Sequence, residues 1–155
     1  PKRKRLPLAP LVGEAGDAAV DARIAPVDIN FDNQVAVDLE VDADPEQIYR
    51  IVLNLIRNSV EALVERGTQG WIRVTAIRQG QRVRIDVCDN GPGIPPSVHA
   101  KLFQPFATAA RSGGSGLGLA IARDLARAHG GDIVLVSTGA DGTLLRIEIP
   151  DSEMA

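Results

Sequence analysis

Two glycine clusters, each joined to an element of regular structure, constrain this chain more than any other feature. Asp89-Asn90-Gly91-Pro92-Gly93-Ile94 closes a strand-like run, and Gly113-Gly114-Ser115-Gly116-Leu117-Gly118 opens a helix-like run. Upstream, Asn54-Leu55-Ile56-Arg57-Asn58 lies within a long amphipathic segment. One carboxylate, two flexible backbones and two helical amides, in that order, suggest a nucleotide site. Each alone is weak, and the combination carries the reading.

The patterning around these clusters alternates strand pairs with helices. Residues 1–7 read as a linker, and 8–20 as a short helix in spite of Pro10 and Gly13. Residues 25–31 and 34–41 alternate apolar and charged positions, which predicts two half-buried strands turning at Asn33. Asp44-Pro45-Glu46-Gln47 starts a helix: Asp44 as cap, Pro45 at the first position, Glu46 suiting the dipole and Gln47 three after the cap. That helix runs to Arg66, stopped by Gly67. Strands follow at 70–77 and 81–88, then a helical turn from Pro95-Pro96 to Leu102 and a loop over 103–115. A helix over 116–128 and strands at 132–137 and 143–149 complete the domain, with 151–155 as polar tail. Strand pairs with short turns imply antiparallel pairing, and the helices between them imply one helical layer. The fold class expected is α+β, a two-layer sandwich with a mixed, mostly antiparallel sheet.

Composition narrows the function. A chain of 155 residues suits one domain, and aromatics at 3% leave its core to Leu, Ile, Val and Ala. The net charge of −3 gives no pull towards nucleic acid, and Lys2-Arg3-Lys4-Arg5 reads as a solvated linker. Cys88 is the only cysteine, so no internal disulfide forms and a reducing compartment fits; its neighbours place it in the core. No stretch approaches the ~20 apolar residues of a membrane span. The chain starts at Pro1 without an initiator Met, so a cytoplasmic piece of a longer protein is expected, with a membrane anchor elsewhere left open.

The chemistry of each candidate has an ordinary alternative beside it. Asp89 at a strand end accepts hydrogen bonds only, which suits the exocyclic amine of adenine; alone it reads first as an Asp-Asn-Gly turn. Gly91 and Gly93 allow a base close to the backbone, with Ile94 able to pack on it. Gly114, Gly116 and Gly118 at a helix start offer amides to phosphate, but no Lys-Ser or Lys-Thr follows to make a Walker loop. Asn54 and Asn58 share a helix face, and an amide oxygen is a fair magnesium ligand; capping a nearby loop explains either equally well. His129 suits the end of a helix as a structural cation, and His99 looks exposed.

Together these segments resemble the boxes of sensor histidine kinases. Asn54 to Ala62 is similar to the N box, Asp89 to Ile94 to the G1 box, Leu102-Phe103-Gln104-Pro105-Phe106 to the F box, and Gly114 to Ile121 to the G2 box. His129-Gly130-Gly131 and Gly142-Thr143 match the closing pattern, so the resemblance spans residues 6–150. It implies the Bergerat ATP-binding fold over 8–150, with ATP and magnesium as cofactors. It implies Asp89 on the adenine amine, Gly91, Gly93 and Ile94 around the base, and Thr143 closing that side through a shared water. Asn58 would hold magnesium with Asn54 in support, and Thr108, Arg111, Gly114, Ser115, Gly116, Leu117 and Gly118 would lie along the phosphates. Phe103 and Phe106 would anchor the lid.

Gyrase-like relatives carry a Glu at the place of Asn54. An amide cannot accept a proton from water, and a missing general base slows a reaction by about 10²–10⁴. The resemblance therefore implies a kinase that transfers the γ-phosphoryl group in line to a histidine. Glu61 and the Ala109-Ala110-Arg111 stretch depart from the commoner family pattern. They leave open a nucleotide-binding module without catalysis, beside an anti-sigma-type serine kinase. The partners implied are a histidine-bearing dimerisation domain, upstream or in trans, and a response regulator. The parent would be a homodimer and this piece a monomer, without nucleic acid.

Overall fold

The computed structural model describes residues 1–22, 27–67, 69–107 and 116–151. A five-stranded sheet runs in the order β2-β4-β5-β7-β6, formed by Ile29–Asn33, Gly70–Gln79, Arg82–Asp89, Gly142–Pro150 and Asp132–Gly139 respectively. Only β2 is parallel to its neighbour; the other pairs are antiparallel. Helices α1 (Leu8–Asp21), α2 (Pro45–Arg66) and α4 (Gly118–Ala128) form the second layer, and α3 (Pro96–His99) is a single turn. Helix α2 packs on β4 and β5, α4 on β6 and β7, and α1 on α2 and β2. This is the α+β two-layer sandwich expected from the sequence.

Period-two alternation makes the core. Val83, Ile85 and Val87 of β5, with Leu145, Ile147 and Ile149 of β7, face the helices and are buried. They meet Ile48, Ile51, Val52, Leu55, Ile56 and Leu63 on the broad apolar stripe of α2. Burying each such side chain contributes about 1.5–3 kcal/mol relative to leaving it in water. The same alternation turns Cys88 to the outer face, where it is half-buried; the core position expected for it belongs to its neighbour Asp89. Burial pushes the Cys88 thiol up, which suits an unreactive group.

Three expectations about the N-terminal third are corrected. Lys4–Pro7 is not linker: it forms β1 and pairs antiparallel with β3 (Glu40–Ala43). The hairpin over 25–41 does not form, because β2 joins β4 while β3 joins β1. The basic run is solvated as expected at Lys2, Arg3 and Lys4, which are exposed, but Arg5 is half-buried and both arginines of the run are tied to the fold. Arg3 donates to the carbonyl of His129, and Arg5 donates to the Asp151 carboxylate. Asp151, expected in the polar tail, is buried; it also accepts from Arg78 at 2.7 Å and from the Asp42 amide at 3.1 Å.

Asp44 caps α2, accepting from the amides of Glu46 and Gln47. The reciprocal half of the capping box is missing. The Asp44 amide goes instead to His129 Nε2 at 3.1 Å, and Gln47 Oε1 has no partner among the described residues. Since His129 Nδ1 meets the Leu125 carbonyl at 2.9 Å, Nδ1 must donate and Nε2 accept. The ring is therefore neutral, not the cation expected at the end of α4. Burial lowers its pKa, against the pull of the Leu125 carbonyl.

This sets a pH dependence. Above about 6.5 both folded and unfolded states hold His129 neutral; below it the unfolded chain takes up the proton first. Stability is fully present above that value and falls as pH drops towards the lowered folded pKa. Urea midpoints should fall between pH 7.5 and 5.5 in the native chain and markedly less in His129→Gln. Equal losses in both would contradict the neutral bridge.

Candidate functional site

The site lies where β5 ends beneath α2. Asp89 is the last residue of β5 and on its core-facing side, so its carboxylate is only 3% exposed. Oδ2 accepts from Ser59 Oγ at 2.7 Å, and Oδ1 accepts from the Gly91 amide at 2.8 Å. A buried carboxylate is tolerable only when hydrogen bonds satisfy it, and these two hold it in one orientation. Ser59 was invisible to motif reading: a serine inside a helix gives no signal until the strand it faces is known.

The loop after Asp89 is held at several points. The Asn90 side chain accepts from the Trp71 amide at 2.7 Å, closing the end of the β4–β5 pair. The Ile94 amide donates to Thr138 Oγ1 at 2.8 Å, and the Ile94 carbonyl accepts from His99 Nε2 at 2.7 Å. Two glycines are required by close approach. Gly93 has φ +85° and a Cβ there would stand 2.3 Å from the Gly139 carbonyl; Gly142 has φ +134° and a Cβ would stand 1.9 Å from the Asp89 carbonyl. Side chains at either would pry the loop from the β6–β7 hairpin. Thr143 pairs directly with Asp89 across β5 and β7, is buried, and lies 2.9 Å from Thr138 Oγ1.

Helix α2 links this pocket to the start of α4. Asn54 and Asn58 lie one turn apart, Asn58 buried and Asn54 half-buried. A Cβ at Gly118 would come 3.7 Å from the Asn54 side chain, whereas one at Gly91 would come 3.5 Å from Ala62. From Asn54 to Ala62 the helix rises about 12 Å. One face of α2 thus spans from the N-terminus of α4 to the Asp89 loop. Among the described residues no side chain caps α4, whose N-cap residue is Leu117, and the positive end of its dipole suits an anion.

The structure brings together Asn54, Asn58, Asp89, Gly91, Gly93, Ile94, Gly118 and Thr143, with Gly116 and Leu117 leading into α4. Thr108, Arg111, Gly114 and Ser115 lie outside the described residues. Of the two phenylalanines expected to anchor the lid, Phe103 packs against the core and lies beneath Arg123, 5.0 Å from its guanidinium. Phe106 is 63% exposed with φ +67°, and its amide donates to the Gly116 carbonyl at 2.8 Å. Among the described residues no three His, Cys, Asp or Glu gather to hold a metal. A magnesium ion fits here only in company with phosphate oxygens and water, with an amide oxygen as the protein's share.

Comparison with known proteins finds histidine kinases both in sequence and in fold. NtrB of Salmonella typhimurium, a sensory histidine kinase/phosphatase, is 44% identical over 106 residues, covering 63% of this chain and 30% of that protein. The sensor protein CutS of Streptomyces coelicolor is 36% identical over 156 aligned positions, covering 96% of this chain and 36% of its own length. The chain therefore spans about a third of these relatives. The catalytic domain of histidine kinase ThkA superposes with a TM-score of 0.77 at 31% identity, covering 97% of each chain. Full-length ShkA in complex with AMPPNP gives 0.79 at 27% identity, covering 99% of this chain and 32% of that one. The family described as histidine kinase-, DNA gyrase B-, and HSP90-like ATPase matches residues 43–153. With that match over most of its length, the chain belongs to this family of ATPases.

Proposed function

We infer that this domain binds ATP with magnesium and transfers the γ-phosphoryl group to a histidine on a separate dimerisation domain, upstream in the parent chain or in trans. The observation that carries this reading is the single face of α2 running from the N-terminus of α4 to a buried, pre-oriented carboxylate. A bent nucleoside triphosphate can lie along this face with its base at one end and its phosphates at the other. Asp89 takes the adenine amine, and the glycine-bordered loop with Ile94 accepts the base. The first amides of α4 take phosphate oxygens. Asn58 supplies an amide oxygen to the metal, which when bound neutralises phosphate charge.

Asn54, beside Gly118 at the phosphate end, carries an amide that cannot itself take a proton from water. Water attack is thus slow and the phosphoryl group is kept for a histidine nucleophile. Neither histidine here is placed for that role: His129 is buried with both ring nitrogens engaged, and His99 is bonded to the Ile94 carbonyl. Thr108, Arg111, Gly114 and Ser115 complete the phosphate side in this proposal, and a response regulator receives the phosphoryl group from the histidine. A homodimeric parent in two-component signalling follows from the same reading. No helix among the described residues is long and apolar enough to cross a membrane.

Labelled ATP mixed with this chain and a histidine-bearing dimerisation domain should give an acid-labile phosphoprotein. Binding without transfer would favour a nucleotide-binding module, and an acid-stable product a serine kinase. Asn58→Ala is expected to lower magnesium-dependent transfer about tenfold or more. Equal transfer by the native chain with magnesium and with a chelator would contradict a metal role for Asn58.

A further inference from the structure

A β-bulge re-aims one strand beside the site. In β6, Leu135 pairs with Leu145, but Ser137 rather than Val136 pairs with Leu144, so that Thr138 comes opposite Thr143. Without the extra residue Ser137 would occupy that place, since a one-residue slip exchanges the faces of a strand. Thr138 is thereby brought between two groups of the pocket. Its Oγ1 accepts from the Ile94 amide at 2.8 Å and lies 2.9 Å from Thr143 Oγ1. Thr143 in turn stands beside Asp89 in the neighbouring strand.

We propose that Thr138 is a specificity-determining residue that fixes the direction of the Thr143 hydroxyl. A backbone amide can only donate, so Ile94 occupies Thr138 as an acceptor. In the relay proposed, Thr138 uses its own proton to donate to Thr143 Oγ1 at 2.9 Å, and the Thr143 proton is turned into the pocket. The pocket wall presents an acceptor, the Asp89 carboxylate, beside a donor, the Thr143 hydroxyl, directly or through a water. That pair is the complement of the 6-amino and N1 positions of adenine. Asp89 reads the amine, and the relay from Ile94 through Thr138 to Thr143 reads N1. The inference rests on the adenine reading above and adds the residue that sets the second half of the recognition.

Calorimetry with ADP and two analogues separates the halves. Purine riboside diphosphate lacks the amine and reads Asp89; 1-deaza-ADP lacks the N1 acceptor and reads the relay. The native chain should bind each analogue about fivefold to tenfold more weakly than ADP. In Thr138→Val the N1 penalty should fall to less than about twofold while the amine penalty persists, and Thr138→Ser should restore the N1 penalty. Thr138→Ala, which cannot crowd the hairpin, is read in parallel should the valine variant fail to fold. A purely structural role would weaken all three ligands alike and leave both ratios unchanged. An N1 penalty that is absent in the native chain, or undiminished in the variants, overturns the relay. Absence of the amine penalty in the native chain instead overturns the adenine reading.

Discussion

Asp89→Asn is expected to weaken ADP binding by about tenfold to a hundredfold, with the fold retained. The substitution keeps the shape but replaces one acceptor by an NH₂ donor. If the amide oxygen stays on the Gly91 amide, its NH₂ confronts the Ser59 hydroxyl and the adenine amine, two groups that Asp89 serves as acceptor. Ser59 can rotate and donate elsewhere, but the amine cannot change its character. A hydrogen bond to a charged group contributes about 1.5–3 kcal/mol, and each 1.4 kcal/mol is a factor of ten in the dissociation constant. Calorimetric titration with ADP, with a thermal melt of the same sample, provides the check. An unchanged constant would remove Asp89 from the adenine site.

Asp151→Asn should lower stability by about 2–4 kcal/mol. The Asp151 carboxylate is wholly buried and accepts from Arg5 of β1, Arg78 of β4 and the Asp42 amide of β3. Removing one partner of a buried pair costs about 3–5 kcal/mol. The two guanidiniums retain some exposure, 31% for Arg5 and 21% for Arg78, so solvent screens part of that cost. For a domain of this size the melting temperature should fall by roughly 10 °C. A shift under about 2 °C would mean that the charge cluster adds nothing to holding the small β1–β3 sheet against the main one. Because this cluster lies away from Asp89, nucleotide affinity of the folded variant should stay within about twofold of the native value.

What sequence could and could not show follows from the range of the interactions. The helix over Pro45–Arg66 was legible because its cap, its stop and its apolar period are local. The glycine clusters were legible for the same reason: tight turns and helix starts write themselves in a few adjacent residues. Partnerships across the chain were not. Arg5 with Asp151 joins residues 146 apart, and Asp44 with His129 joins residues 85 apart, so the tie of Arg5 and the burial of an acid expected in the tail leave no local sign. Strand identity over 25–41 failed because alternation marks a half-buried strand without naming its partner. Cys88 was misplaced by one residue of phase, which in a strand exchanges inside for outside. Ser59 and Thr138 went unread because a hydroxyl acquires its role only from what the fold sets 2.7 to 2.9 Å away.

The most direct measurement is a crystal structure of this chain with magnesium and AMPPNP. The expected result places the adenine amine within hydrogen-bonding distance of Asp89, the phosphates at the first turn of α4, and the metal against Asn58. A base bound away from Asp89, with the triphosphate on another face of the helical layer, would contradict it.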